Sequence, residues 1–202
     1  FYDIFSKFKS TSSSPVEEGK EKTEAPPLNY SPLEMALPID GAEIPSFKTW
    51  VQWNGYNQKH PSYDFAAYLT KDGKCVLGLP VQTKIMAVAD GEVSTISYPR
   101  KDYYTTVYIQ HRADIVSSYT HVVPFVKEGQ KNKKGLVIAT LYKYKGRSSY
   151  GNLVHLHFGL LDINWLRFID PATLFPQLRL YPCSPQGSVS FKIRGLRPYP
   201  IK

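Results

Sequence analysis

Cysteine is scarce in this chain of 202 residues, which holds only Cys75 and Cys183. They are not spaced as C-x-x-C, so neither a thiolate zinc site nor a dithiol redox motif is on offer. No stretch comes near the roughly 18 apolar residues that a bilayer-spanning helix requires. Glycine-rich loops of the G-x-G-x-x-G or G-x-x-x-x-G-K-[ST] kind are missing, which removes the commonest sequence sign of phosphate binding. Histidine is limited to five residues and, after position 43, glutamate to Glu92 and Glu128. Neither glutamate adjoins a histidine motif, so an H-E-x-x-H helix is excluded as well.

What remains is plentiful in strand formers. Tyr, Val, Ile, Thr and Phe recur in short pieces, cut apart by 16 prolines and 13 glycines that leave little room for long helices. The composition predicts a mainly β chain, and the length suits one compact domain with some looser extension. Charge divides the chain. Residues 1–43 carry 4 basic and 8 acidic side chains, and residues 44–202 carry 21 and 9, a net of +12 on the domain proper. A surface so cationic attracts polyanions, among them anionic envelope polymers, acidic membrane and nucleic acid, or else serves solubility.

Phe1 to Phe8 has apolar residues at helix-like spacing, and Ser10 to Pro32 is a Ser/Thr/Pro/Glu/Lys segment with too little apolar surface to repay ordering. The segment 1–43 therefore reads as a flexible acidic leader. The chain opens on Phe1 rather than Met, which is expected of a processed or truncated product and, if processed, leaves room for an upstream signal or membrane tether. From about Ile44 strands alternate with turns. Val81 to Val88 and Glu92 to Tyr98 flank Asp90-Gly91 and read as a hairpin. Further strands are expected over Tyr104–His111, Val116–Val123, Leu136–Tyr142 and Val154–Leu161, with a lysine-rich turn from Gly129 to Gly135. Residues 177–202 form a basic extension containing Tyr and Pro.

The five histidines lie in small patterns. His60 and Asp64 stand four residues apart, close enough to converge on one ion at a strand end. In His155-Leu156-His157, strand alternation puts Val154, Leu156, Phe158 and Leu160 on one face and both histidines on the other. Zinc takes neutral imidazole nitrogen and carboxylate oxygen, and catalytic sites use three such ligands. His60, Asp64 and one histidine of the pair make such a set, against the alternative of ordinary surface or core histidines.

Taken with Tyr119-Thr120-His121, these motifs resemble the signature of the lysostaphin-type, or LytM-like, zinc metallopeptidases, which cut peptide cross-links in bacterial peptidoglycan. Connecting segments agree: Gly78-Leu79-Pro80-Val81, Ala87 to Val93, Val107 to His111, Val126 to Gln130, Gly146 to Gly151 and Asp170-Pro171. The resemblance implies an antiparallel β-sheet domain with an open groove, of the duplicated hybrid motif type, spanning 44–176. It implies one zinc ion (Zn2+) held by His60, Asp64 and His157, with His121 and His155 as the catalytic pair beside it. Ser62 stands where that family usually has glycine, and Gly159 where an acidic or amide residue is common. Lys71 to Lys74 adds a turn that would reshape one groove wall.

The expected activity is hydrolysis of peptidoglycan stem peptides or cross-bridges in the bacterial cell envelope, whether periplasmic, wall-bound or secreted. With no glutamate available, histidine is the proton acceptor whose unperturbed pKa suits neutral pH. His111 is expected to support from behind or pack, and Tyr119, sharing a strand face with His121, to pack or to touch substrate. Lysines and arginine at 127, 131, 133, 134, 143, 145 and 147 are expected near the groove. A catalytically silent or self-inhibited wall-binding or amidase-regulating module is the first alternative. A basic nucleic-acid-binding domain is the second, and no stacking or helix-insertion motif for sequence-specific nucleic acid is found.

Overall fold

The computed structural model describes residues 33–51, 56, 59–98, 105–142, 153–164 and 166–175. Phe1 to Phe8, the Ser10–Pro32 segment, Gly146 to Gly151, the basic residues 143, 145 and 147, and the extension 177–202 with Cys183 lie outside the described residues.

The described chain is antiparallel β-structure in three sheets, with short one-turn helices at Gly41–Glu43 and Pro171–Thr173. The strands are β1 (Phe47–Val51), β2 (Tyr63–Phe65), β3 (Ala67–Thr70), β4 (Cys75–Leu77), β5 (Lys84–Met86), β6 (Gly91–Ser97), β7 (Thr106–Gln110), β8 (Ile115–Thr120), β9 (Val122–Pro124), β10 (Lys131–Asn132), β11 (Val137–Leu141), β12 (Leu156–Asp162) and β13 (Arg167–Ile169). The large sheet runs β10-β6-β7-β8-β12-β13, with β2 also paired to β12. Two three-stranded sheets, β1-β3-β4 and β5-β11-β9, flank it.

One hydrophobic cluster draws on all three sheets. Trp50 and Tyr68 enter from the first, Ile109, Tyr119 and Phe158 from the large sheet, and Ile85, Ile138 and Leu141 from the third. The aromatic side chains meet edge to face, as their ring quadrupoles favour: Trp50 on Phe65 at 5.2 Å and Tyr119 on Phe158 at 5.4 Å between centroids. The expected alternation along β12 is present, with Leu156, Phe158 and Leu160 wholly buried and His155 and His157 half-buried on the opposite side.

Three features differ from the sequence reading. Residues 33–43, assigned by composition to the leader, lie against the domain: Ala36 N donates to Val88 O, Met86 N donates to Pro38 O, and Pro38 and Ile39 are buried. The Asp90-Gly91 turn does not close a hairpin, because β5 pairs with β11 and β6 with β7, in different sheets. Finally, the strand expected over 116–123 breaks at His121. There φ is +72°, and the chain passes from β8 in the large sheet to β9 in the third. The expected turn at 71–74 does form, closing β3 onto β4 with Gly73 at φ +82°.

Candidate metal centre

The site is assembled on β12, whose two edges bring different elements to its first half. On one edge β2 pairs antiparallel, setting Asp64 opposite His157; on the other β8 sets Thr120 opposite the same histidine. Paired residues point to one face of a sheet. Asp64, His157 and Thr120 therefore share the groove face, while Tyr63, Phe158 and Tyr119 share the core face. Thr120 is joined to Thr106 of β7 by a 3.0 Å hydroxyl–hydroxyl contact, extending a polar shelf beside His157. Neither threonine was singled out from sequence, though alternation from the buried Tyr119 would have pointed to Thr120.

His60, Asp64 and His157 converge. His157 Nδ1 is 2.9 Å from Asp64 Oδ1, His60 Nε2 is 3.1 Å from His157 Nδ1, and His60 Nε2 is 3.3 Å from Asp64 Oδ1. A tetrahedron with donor bonds of about 2.0–2.1 Å has edges of about 3.3 Å, so these three atoms are spaced as three corners around one small cation. The donor chemistry agrees, since two imidazole nitrogens and a carboxylate oxygen facing one point are satisfied together by a cation. The residues fit zinc. Burial pushes the Asp64 pKa up, but hydrogen bonds with His157 and His60 and the charges of His157 and His155 more than offset it, holding the carboxylate ionised well below its usual range.

His155 and His121 stand beside this triad. His155 Nδ1 lies 3.0 Å from Leu153 O, and a carbonyl can only accept, so Nδ1 carries the hydrogen of that bond and Nε2 is the ring nitrogen left to face the triad. That Nε2 faces Asp64 Oδ1 at 3.9 Å. The His121 ring lies 4.5 Å from the His155 ring and 6.1 Å from the His157 ring. Burial and the nearby His155 and His157 push its pKa down to about 2, so it is neutral at physiological pH. Side-chain exposures of 20% for His60, 18% for His155 and 17% for His157 leave the cluster open to solvent on one side.

Tyr119 does not share the groove with His121. Strict alternation would put both on the core face, and the left-handed turn at His121 swings only the histidine out. Tyr119 is wholly buried, its hydroxyl accepting the Val88 amide at 3.0 Å and lying 3.0 Å from Ser117 Oγ. His111 continues this chain, with Nδ1 donating to Asp90 O at 2.8 Å and Nε2 2.7 Å from Ser117 Oγ. It ties the β6 turn to β8 and touches no member of the triad.

Among the described residues, Lys131 is far from His157, and Lys133 and Lys134 are engaged in ion pairs. Lys131 lies on β10, four strands from β12 and about 19 Å away at the usual strand spacing. Lys133 pairs with Asp90 and Lys134 with Glu34, each at 2.7 Å.

Comparison with known proteins agrees with the motif resemblance. The model described as Peptidase family M23 matches residues 74–170, which include His121, His155 and His157 and begin after His60 and Asp64. No curated protein matches the chain. Among solved structures, a protein from Pseudomonas aeruginosa assigned to peptidase M23 is 23% identical, with TM-score 0.50, over 73% of this chain and 52% of its own. This chain thus spans about half that relative's length, and the likeness establishes the fold. A zinc-containing peptidase from Vibrio cholerae is 24% identical over 66% of this chain and 37% of its own, with TM-score 0.43. The catalytic domain of lysostaphin from Staphylococcus simulans is 16% identical over 68% of this chain and 98% of its own, with TM-score 0.47. At those scores neither bears on the activity.

Proposed function

We propose, from the premise that residues 74–170 make this chain similar to peptidase family M23, that it is a zinc-dependent endopeptidase acting on the peptide cross-links of peptidoglycan in the bacterial envelope. The observation that carries the reading is the convergence of His60 Nε2, Asp64 Oδ1 and His157 Nδ1 within 3.3 Å, with two further histidines alongside. Zinc bound there would supply Lewis acidity toward a scissile carbonyl and make water more acidic.

The remaining work falls to this chain's own side chains. His155 has its Nδ1 hydrogen committed to Leu153 O, so Nε2 is the atom that takes a proton from the attacking water and later returns it to the departing amine. His121, neutral and with its charged form disfavoured by burial, offers a hydrogen bond to the developing oxyanion. Asp64 keeps its negative charge among the imidazoles and balances the charge of a bound cation. The Thr120–Thr106 shelf supplies hydroxyls to a peptide laid along the groove.

Two measurements test this together. Purified protein should hold about one zinc per chain, and mass spectrometry of digested sacculi should show cross-linked muropeptides converted to shorter products. His157→Ala should lose both. Full turnover in excess chelator would overturn the metal mechanism, and zinc uptake without muropeptide cleavage would favour a silent binding module.

A further inference from the structure

We propose that Gly159 is a positioning residue for the metal centre: the missing side chain lets the His60–Ser62 turn lie across β12, and this lie brings His60 against His157. The inference rests on reading His60, Asp64 and His157 as zinc ligands. Gly159 is the single β12 residue between two strands that share one edge, since β2 pairs with residues 156–158 and β13 with residues 160–162. On the other edge it pairs with Ser118. Its face is that of His157, two residues away.

That face is already occupied. A methyl group at position 159 would lie 2.6 Å from Ser118 Oγ, 3.2 Å from Ser62 Oγ and 3.8 Å from Pro61 O. The chain entering β2 therefore passes directly over Gly159 to deliver His60 to the next groove-facing residue, His157. The turn is compact, with Ser62 N donating to His60 O at 2.8 Å, so a displacement of Ser62 is passed to His60.

The three ligands depend on this crossing unequally. Asp64 is set opposite His157 by ladder register. β12 itself is held by β8 along residues 157–162 and cannot easily yield. A side chain at 159 presses on the 60–62 turn through Ser62, moving His60 Nε2 from its 3.1 Å approach while the register-set Asp64–His157 pair stays. Ser62 and Gly159 are two sides of one contact, because Ser62 Oγ fills part of the space that a side chain at 159 would need.

The test uses the full chain with zinc alone as probe. Gly159→Ala and Gly159→Val are compared with the parent by chelator competition for zinc, by absorption of the cobalt(II)-loaded form, and by thermal unfolding of the metal-free form. Expected are zinc affinity about 10–100-fold weaker in Gly159→Val, the range for losing a ligand's orientation, and a smaller loss in Gly159→Ala. The cobalt spectrum should change, and metal-free midpoints should stay within about 4 °C of the parent. Adding Ser62→Ala and Ser118→Ala to Gly159→Ala should restore affinity. Unchanged zinc binding in both variants would overturn the proposal, as would metal-free midpoints falling in step with affinity or no rescue by the serine changes. A parent that takes up no zinc would overturn the ligand reading as well, which separates the two failures.

Discussion

Asp64 and His157 face each other across β2 and β12, Oδ1 to Nδ1 at 2.9 Å, although 93 residues separate them in the chain. The pair is set by ladder register, so its alignment does not depend on a bound ion. Asp64→Asn keeps the shape and removes the charge. Zinc affinity should fall by more than the roughly 10–100-fold typical of changes behind the ligands, with metal-free protein still folded. Zinc titration and circular dichroism check this, and near-parental affinity would remove Asp64 from the ligand set.

His121 and His155 should separate binding from turnover. Their ring centroids lie 4.5 Å apart, tilted against each other beside the triad, and neither joins the converging donor atoms. His121→Ala and His155→Ala should each retain about one zinc and lose about 100- to 10,000-fold in muropeptide cleavage, the usual worth of a positioned acid or base. Loss of zinc in either variant would make that histidine a ligand instead.

Acid should destabilise the fold partly through His111. Burial pushes its pKa below the ordinary histidine value, against the raising influence of Asp90. The unfolded chain then takes up a proton below about pH 6.5 that the folded chain refuses, so stability falls as pH drops, by up to about 1.4 kcal/mol per unit. His111→Asn should flatten this slope in urea unfolding of metal-free protein between pH 7.5 and 5. His121, pushed down to about 2, adds a slope of the same sign to both proteins and cancels in the comparison. Equal slopes would exclude His111.

Tyr119 should matter to the fold and not to the metal. Removing its hydroxyl in Tyr119→Phe leaves the Val88 amide without its 3.0 Å acceptor inside the core. The expected cost is about 1–3 kcal/mol of unfolding free energy, with zinc affinity unchanged. A variant as stable as the parent would mean that water or another group takes over.

By itself the sequence determined whatever depends on local periodicity. The alternation of Val154 to Leu160 assigned the two faces of β12 and turned His155 and His157 away from the core, because successive strand residues point oppositely whatever the strand pairs with. The abundance of β-branched and aromatic residues between prolines and glycines determined a β architecture. The zinc set was named on the resemblance, with spacing leaving two histidines in contention. Only the tertiary structure decided that β5 and β6 part into different sheets, that residues 33–43 lie on the domain, that Lys131 on β10 sits far from β12, and that His121 leaves the face its neighbours predict. The physical reason is common to all four. Pairing partners and a single left-handed residue are selected by which burial and hydrogen bonding the whole chain can satisfy at once, and a local pattern carries no record of that choice.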